Sequence, residues 1–243
     1  KVFPCSGRIL RMPQPLFHYG FDGFVCSAGG YVGCDGKILV DIPMEPEQVS
    51  GLRAALERAG AECTLEVRDE TYGGIKMIER FANLFPKTPG KVNSEAERWR
   101  KMMEFGMTIC PIEKYHGEPV YKIVFIAPNE ECLAEVKRQY ESQFVFCESR
   151  LGDEGGGIVN GELINRKFDK GTGIKAICGF LGCSLADTIG FGDSDNDLQM
   201  TDVVGISVCM ANGSDNLKKR CDRICPAVSE DGVAKEFAAL GLI

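Results

Sequence analysis

From residue 161 onward, short apolar runs alternate with amphipathic stretches, and this alternation narrows the possible folds more than any other feature. "DTIGFG" and "VGISVCM" are apolar runs too short for helices. Each is followed by a segment with helical punctuation, "SDNDLQMTD" after the first and "SDNLKKRC" after the second. "KGTGIKAICGFLG" precedes them, with Ile174, Ile177, Cys178 and Leu181 on one helical face and Gly182 at its stop, and "EDGVAKEFAALGLI" reads as a last helix. Strands that alternate with helices pair in parallel through crossovers. Ligands of such sheets collect beyond the carboxyl ends of the strands. Asp193, at the end of "IGFG", holds that position.

The stretch from Thr188 to Met200, "TIGFGDSDNDLQM", sets Asp193, Asp195 and Asp197 together with Ser194 and Asn196. Carboxylates repel, so such a cluster calls for a counter-charge. Oxygen donors at this spacing suit Mg²⁺, which takes one or two carboxylates and leaves its other positions to water and phosphate. Aspartates also favour helix N-termini through capping and the dipole, which leaves a purely structural reading open. Gly190 and Gly192 leave room for close backbone approach. Three further segments bear on an anion. Lys170 opens a helix and can neutralise a phosphate, or can be an ordinary first-turn lysine. In "FPCSGRIL" the Ser6 hydroxyl and the Gly7 N–H form a nest that donates to phosphate, with Arg8 beside them. Asn212 and Gly213 turn the chain after "VGISVCM"; holding the next loop is the simpler role, and substrate contact by Asn212 is the second.

The middle of the chain follows another pattern. Residues 1–33 read as short strands and turns, and "CDGKILVDIPM" as a hairpin arm. "PEQVSGLRAALERAG" is an amphipathic helix, with Val49, Leu52, Leu56 and Ala59 at helical spacing and Gly60 as its stop. "AECTLEVR", "PVYKIVFIA" and "QFVFCES" read as strands. "SEAERWRKMMEF" reads as a helix capped by Ser94 and Glu97, and "NEECLAEVKRQYES" as a helix opened by Asn129. The expected architecture is an α/β core, residues 1–33 and 161–243, interrupted by an inserted α+β cap, residues 34–160.

Charge and cysteine content remove several function classes. With a formal net charge of -7 and no basic run, non-specific nucleic-acid binding is not expected. No apolar stretch approaches the roughly 18 residues that span a bilayer. The 12 cysteines form no CxxC pair and there are only two histidines, so a zinc site is poorly supported. Many of the thiols sit in apolar runs and read as small core hydrophobes of a cytoplasmic protein.

Taken in order, the segments resemble the haloacid dehalogenase (HAD) superfamily, and within it the Cof-type phosphatases with a large inserted α/β cap of the C2 type. Ser6-Gly7-Arg8 is similar to motif two, Lys170-Gly171 to motif three, and Phe191 to Asp197 to motif four, "fGDxxND". "ISVCMANGSDNLK" and "EDGV" at 230–233 resemble features downstream of motif four. The resemblance implies a Rossmann-like parallel-sheet core and a Mg²⁺-dependent phosphatase of small phosphorylated metabolites, sugar phosphates foremost, acting through an aspartyl-phosphate. It implies Asp193 as metal ligand and Asp197 as second ligand or water orienter. It also implies phosphate and substrate contacts from Ser6, Gly7, Arg8, Lys170, Asn196 and Asn212, in a monomer or homodimer. Two departures stand out: "SAGG" places Ala28 where the family carries asparagine, and motif one, "DxDGT", with the nucleophile, is not found in the 243 residues. "KVFPCSGR" reads as the inside of a strand, so a strand–helix segment bearing the nucleophile is expected ahead of Lys1. A proteolytic or engineered fragment, a catalytically dead relative that binds phosphorylated ligands, and a phosphomutase of the same superfamily are the alternatives.

Overall fold

The computed structural model describes residues 1–74, 109–151 and 158–243. The expected helix "SEAERWRKMMEF" lies outside the described residues. The chain groups into two compact units, one of Lys1–Arg8, Pro13–Ile42 and Phe168–Ile243, the other of Ile9–Met12 and Pro43–Lys167.

The first unit contains two small sheets. β1 (Gly23–Cys26), β2 (Tyr31–Cys34) and β3 (Lys37–Asp41) form an antiparallel meander. Its β1 side is extended by a parallel bridge between Cys5 and Val25. β10 (Ile189–Gly192), β11 (Ile206–Met210) and β12 (Arg223–Cys225) are all parallel, in the order β10-β11-β12. One helix, Lys170–Leu181, packs against β1, β2 and β3 and also against the short helix Leu198–Thr201 that follows β10. Val25, Val32, Cys34 and Ile177 form its core on the meander side, with Phe3 and Cys5 packed against them. Val208, Met210 and Cys225 form a second apolar cluster with Ile189 and Phe191. Phe191 meets Phe237 of the last helix, Gly232–Ala239, at 5.3 Å between ring centres. Among the described residues, β10 pairs only with β11 and the Cys5 segment only with β1.

The second unit is a six-stranded sheet in the order β6-β5-β4-β7-β9-β8, from β4 (Glu62–Val67), β5 (Thr71–Gly73), β6 (Ile109–Pro111), β7 (Val120–Ala127), β8 (Phe144–Leu151) and β9 (Ile158–Asn165). All its pairings are antiparallel except β5 with β6. Helices α1 (Pro46–Arg58) and α2 (Ala134–Tyr140) cover one face. Leu52, Leu56, Leu65, Ile123, Phe125, Leu133, Phe144 and Leu163 fill the core between them, each fully buried. The helices already mentioned are numbered α3 (Lys170–Leu181), α4 (Leu198–Thr201) and α6 (Gly232–Ala239), with α5 at Asp215–Lys218.

Two features depart from the sequence reading. β3 belongs with β1 and β2, and β9 runs to Asn165 inside the six-stranded sheet, so the cuts between units fall at 42/43 and 167/168 rather than at 33/34 and 160/161. β9 escapes a propensity reading because "IVNGELIN" carries asparagine and glycine, which weaken strands. The glycine has a packing reason: a Cβ on Gly161 would lie 2.2 Å from Cζ of Phe125, whose ring needs that space.

Candidate active site

The site is assembled at the carboxyl ends of β10 and β11 and at the start of α3. Asp169 caps α3 by accepting the Thr172 N–H at 2.7 Å, while the Thr172 hydroxyl accepts the Asp169 N–H at 2.9 Å. This reciprocal box fixes where the helix starts and makes Lys170 its first residue. The Lys170 side chain is 5% exposed and the Asp197 side chain 8%. The Lys170 ammonium donates to Oδ1 of Asp197 at 2.5 Å and to Oδ1 of Asn196 at 2.8 Å. Buried charges persist only when paired and hydrogen bonded, and both conditions are met here.

Asp197 owes its place to Gly192. A Cβ on Gly192 would come within 2.8 Å of the Asp197 Cβ, so only glycine lets the aspartate fold back beneath the strand end. Gly190 likewise lies against Met200 and Val204. The room left by these glycines is therefore filled by side chains of the following segment. Oδ2 of Asp197 accepts the backbone N–H of Asp193 at 3.0 Å and of Ser194 at 3.3 Å. Asp195 accepts the Ser214 hydroxyl at 2.5 Å. The Asp193 carboxylate is exposed, and no protein group among the described residues pairs with it.

On the meander side, the Ser6 N–H donates to Val25 O at 2.8 Å, and Ser6 Oγ accepts the Arg8 N–H at 3.1 Å. A Cβ on Gly7 would meet nothing within 4 Å, so neighbouring atoms do not demand a glycine there and the space beside it is open. The loop Ser27–Gly29 straps this turn, with the Ala28 N–H on Ser6 O at 3.1 Å and the Ser27 N–H on Arg8 O at 2.8 Å. Its three residues all have positive φ, 50° at Ser27, 58° at Ala28 and 105° at Gly29. Non-glycine residues in that region carry strain, and such strain clusters at functional sites. The Ser27 hydroxyl is buried without a hydrogen-bond partner among the described residues. A Cβ on Gly29 would lie 2.1 Å from Asp169 O, so the strap presses on the start of α3. The Cys5 thiol is pushed up to about 11 by burial, with Lys170 opposing and Asp197 adding to the shift. Through its bonds to Ser6 and Arg8 and its contact with Asp169, the strap joins the Ser6 turn to the start of the helix that carries Lys170.

The structure thus brings Ser6, Gly7, Arg8, Lys170, Asp193, Asn196 and Asp197 to one region of one unit. Asn212 sits apart in role: its amide oxygen accepts the Val228 N–H at 3.1 Å and so holds a loop. The resemblance implies Asp197 as second metal ligand or water orienter; in the structure its two oxygens are engaged by Lys170 and by backbone N–H groups. Among the described residues no three His, Cys, Asp or Glu side chains gather into a group able to hold a metal. A single uncommitted carboxylate still fits Mg²⁺, which fills its remaining positions with water and phosphate. Ser214 and the Ser27 hydroxyl are parts of the site that the sequence reading does not single out.

The profile of the haloacid dehalogenase-like hydrolases matches residues 1–237. YkrA of Bacillus subtilis (strain 168), a phosphatase by assignment, is 42% identical over 253 aligned positions, covering 100% of this chain and 85% of that protein. The HMP-PP phosphatase of Yersinia enterocolitica is 32% identical over 239, covering 96% of this chain and 80% of that protein. Among solved structures, a hypothetical protein from Geobacillus kaustophilus HTA426 superposes with a TM-score of 0.77 at 22% identity, over 100% of this chain and 86% of that one. A haloacid dehalogenase-like hydrolase from B. subtilis gives 0.73 at 20%, over 96% of this chain and 85% of that one. These likenesses carry the fold, an α/β core with an added sheet-and-helix unit. With its profile matched nearly end to end and its Lys170–Asp197 pair at the strand ends, the chain belongs to the haloacid dehalogenase-like hydrolase family.

Proposed function

We propose that the protein is a phosphoric monoester hydrolase of small phosphorylated metabolites, sugar phosphates foremost, that works with Mg²⁺ in the cytoplasm as a monomer or homodimer. The observation that carries this reading is the buried Lys170 ammonium. Two of its three N–H groups are used on Asp197 and Asn196, and an ammonium has a third to give to a phosphoryl oxygen. The Ser6 hydroxyl can donate to the same group, and no side chain at Gly7 crowds it. Arg8 adds positive charge. Asp193 would hold Mg²⁺, which supplies charge neutralisation between phosphate and an approaching carboxylate. Fixed donors of this kind stabilise the transferring phosphoryl group without reorganising during the reaction.

The reaction in this reading is attack by a carboxylate on phosphorus. The ester oxygen leaves with a proton, and water then hydrolyses the aspartyl-phosphate to free phosphate. Asp195 and Asp197 are committed to protein partners and cannot serve as that nucleophile. Among the described residues β10 pairs only with β11 and the Cys5 segment only with β1, so either edge can accept a further strand bearing the nucleophile.

The test is a panel of phosphorylated metabolites with the full-length protein, with and without Mg²⁺, alongside intact-mass measurement. Turnover that needs Mg²⁺ and vanishes in Asp193→Asn is the expected outcome. Undiminished activity in Asp193→Asn overturns the assignment of Asp193.

A further inference from the structure

The loop after β11 reaches back to the Asp193 segment through contacts that neither the fold nor the proposed chemistry requires. The Gly213 N–H closes a turn on Met210 O at 2.8 Å, and the next N–H, of Ser214, donates to Asp193 O at 3.0 Å. A Cβ on Gly213 would lie 2.7 Å from Cys209 Sγ, 2.9 Å from Met210 O and 3.1 Å from Asp193 O, so the approach is possible only for glycine. The Ser214 hydroxyl gives its single proton to Oδ1 of Asp195 at 2.5 Å and accepts the Leu217 N–H at 3.2 Å as cap of α5.

Asp193 is therefore pinned on both sides of its backbone. Its N–H is held by Asp197 and its carbonyl by Ser214, which leaves the side-chain torsions as its main freedom. The same hydroxyl ties Asp195, the neighbouring acid in the cluster. We propose that Ser214, through its clamp on Asp195 and on the Asp193 carbonyl, is a positioning residue that holds the Asp193 carboxylate in place for a hard divalent cation. The proposal rests on the reading of Asp193 as metal ligand. Outer groups that orient a ligand typically set metal affinity by about 10–100-fold.

The experiment is titration of Mn²⁺ into the full-length protein, with free Mn²⁺ followed by electron paramagnetic resonance, so that binding is read without turnover. Ser214→Ala removes the hydroxyl from both Asp195 and the α5 cap. Asp195→Ala breaks the clamp and leaves the cap intact. Both are expected to weaken Mn²⁺ binding by about tenfold. Ser214→Thr and Asp195→Asn, which keep the donor and the acceptor respectively, are expected to rescue it. Unchanged or tighter binding in Asp195→Ala overturns the proposal. Equal loss in Asp195→Asn and Asp195→Ala also overturns it, because the charge of Asp195 and not the clamp would then be at work. Asp193→Asn in the same titration tests the underlying reading separately: wild-type Mn²⁺ binding there removes Asp193 as ligand whatever the Ser214 variants do.

Discussion

At the scale of single residues, Lys170 and Asp197 depend on each other. Both side chains are almost fully buried, and each is the counter-charge of the other. Removing one partner of a buried pair strands the second charge, which costs about 3–5 kcal/mol. Lys170→Met is therefore expected to lower the free energy of unfolding by about that amount in denaturant titration. The companion Lys170→Met/Asp197→Leu double variant, with no stranded charge, is expected to recover much of it. The cluster "GDSDND" was legible because its members are consecutive, and Lys170 because it opens a helix after Asp169. The division of labour among the three aspartates was not. It depends on Gly192 giving Asp197 its space and on Ser214 claiming Asp195 from 19 positions away, and both are facts of packing.

At the scale of elements, α3 links the parts of the first unit, since its flank packs on the meander and its first turn carries the lysine. Its start is set by the Asp169–Thr172 box. Asp169→Ala is expected to cost about 1 kcal/mol of stability, read by thermal or denaturant unfolding. It should also weaken phosphate inhibition of turnover, because fraying displaces Lys170, whereas Asp169→Asn, which still accepts a hydrogen bond, should retain most of both. The strand–helix alternation that announced α3, β10 and β11 was readable because the two strands are short apolar runs, Ser207 to Met210 buried throughout, while α3 keeps its apolar residues at helical spacing. β12, only three residues long, has two exposed positions and gave no such signal. The positive φ of Ser27 and Ala28 was equally hidden, since neither residue type advertises a left-handed backbone.

At the scale of the whole molecule, both units carry free thiols that are buried or half-buried. Burial pushes Cys5, Cys178 and Cys209 of the first unit and Cys63 of the second up to about 11, from an ordinary 9.0. The folded state thus keeps protons that the unfolded state releases at lower pH. Their contribution to stability is complete below 9.0 and is lost as pH rises toward about 11. The melting temperature is expected to fall across that interval, and the fall should be shallower in a variant with Cys63→Ala and Cys209→Ala, each scaled to its own value at neutral pH. The composition had marked these cysteines as small core hydrophobes; their protonation behaviour follows from that same burial.

The six-stranded sheet holds Lys122 on its central strand, directly opposite Glu66 on β4, with Glu66 and Glu162 each 3.0 Å from its ammonium. Ile123 and Phe125, on the alternate face, are wholly enclosed in the core. A shift of β7 by one residue would exchange these faces, driving the ammonium into hydrocarbon and setting the aromatic ring on the face that carries Glu66 and Glu162. The three charged residues therefore act as an alignment key. Mispaired versions of this sheet are penalised while the chain is still folding, well before any substrate is met.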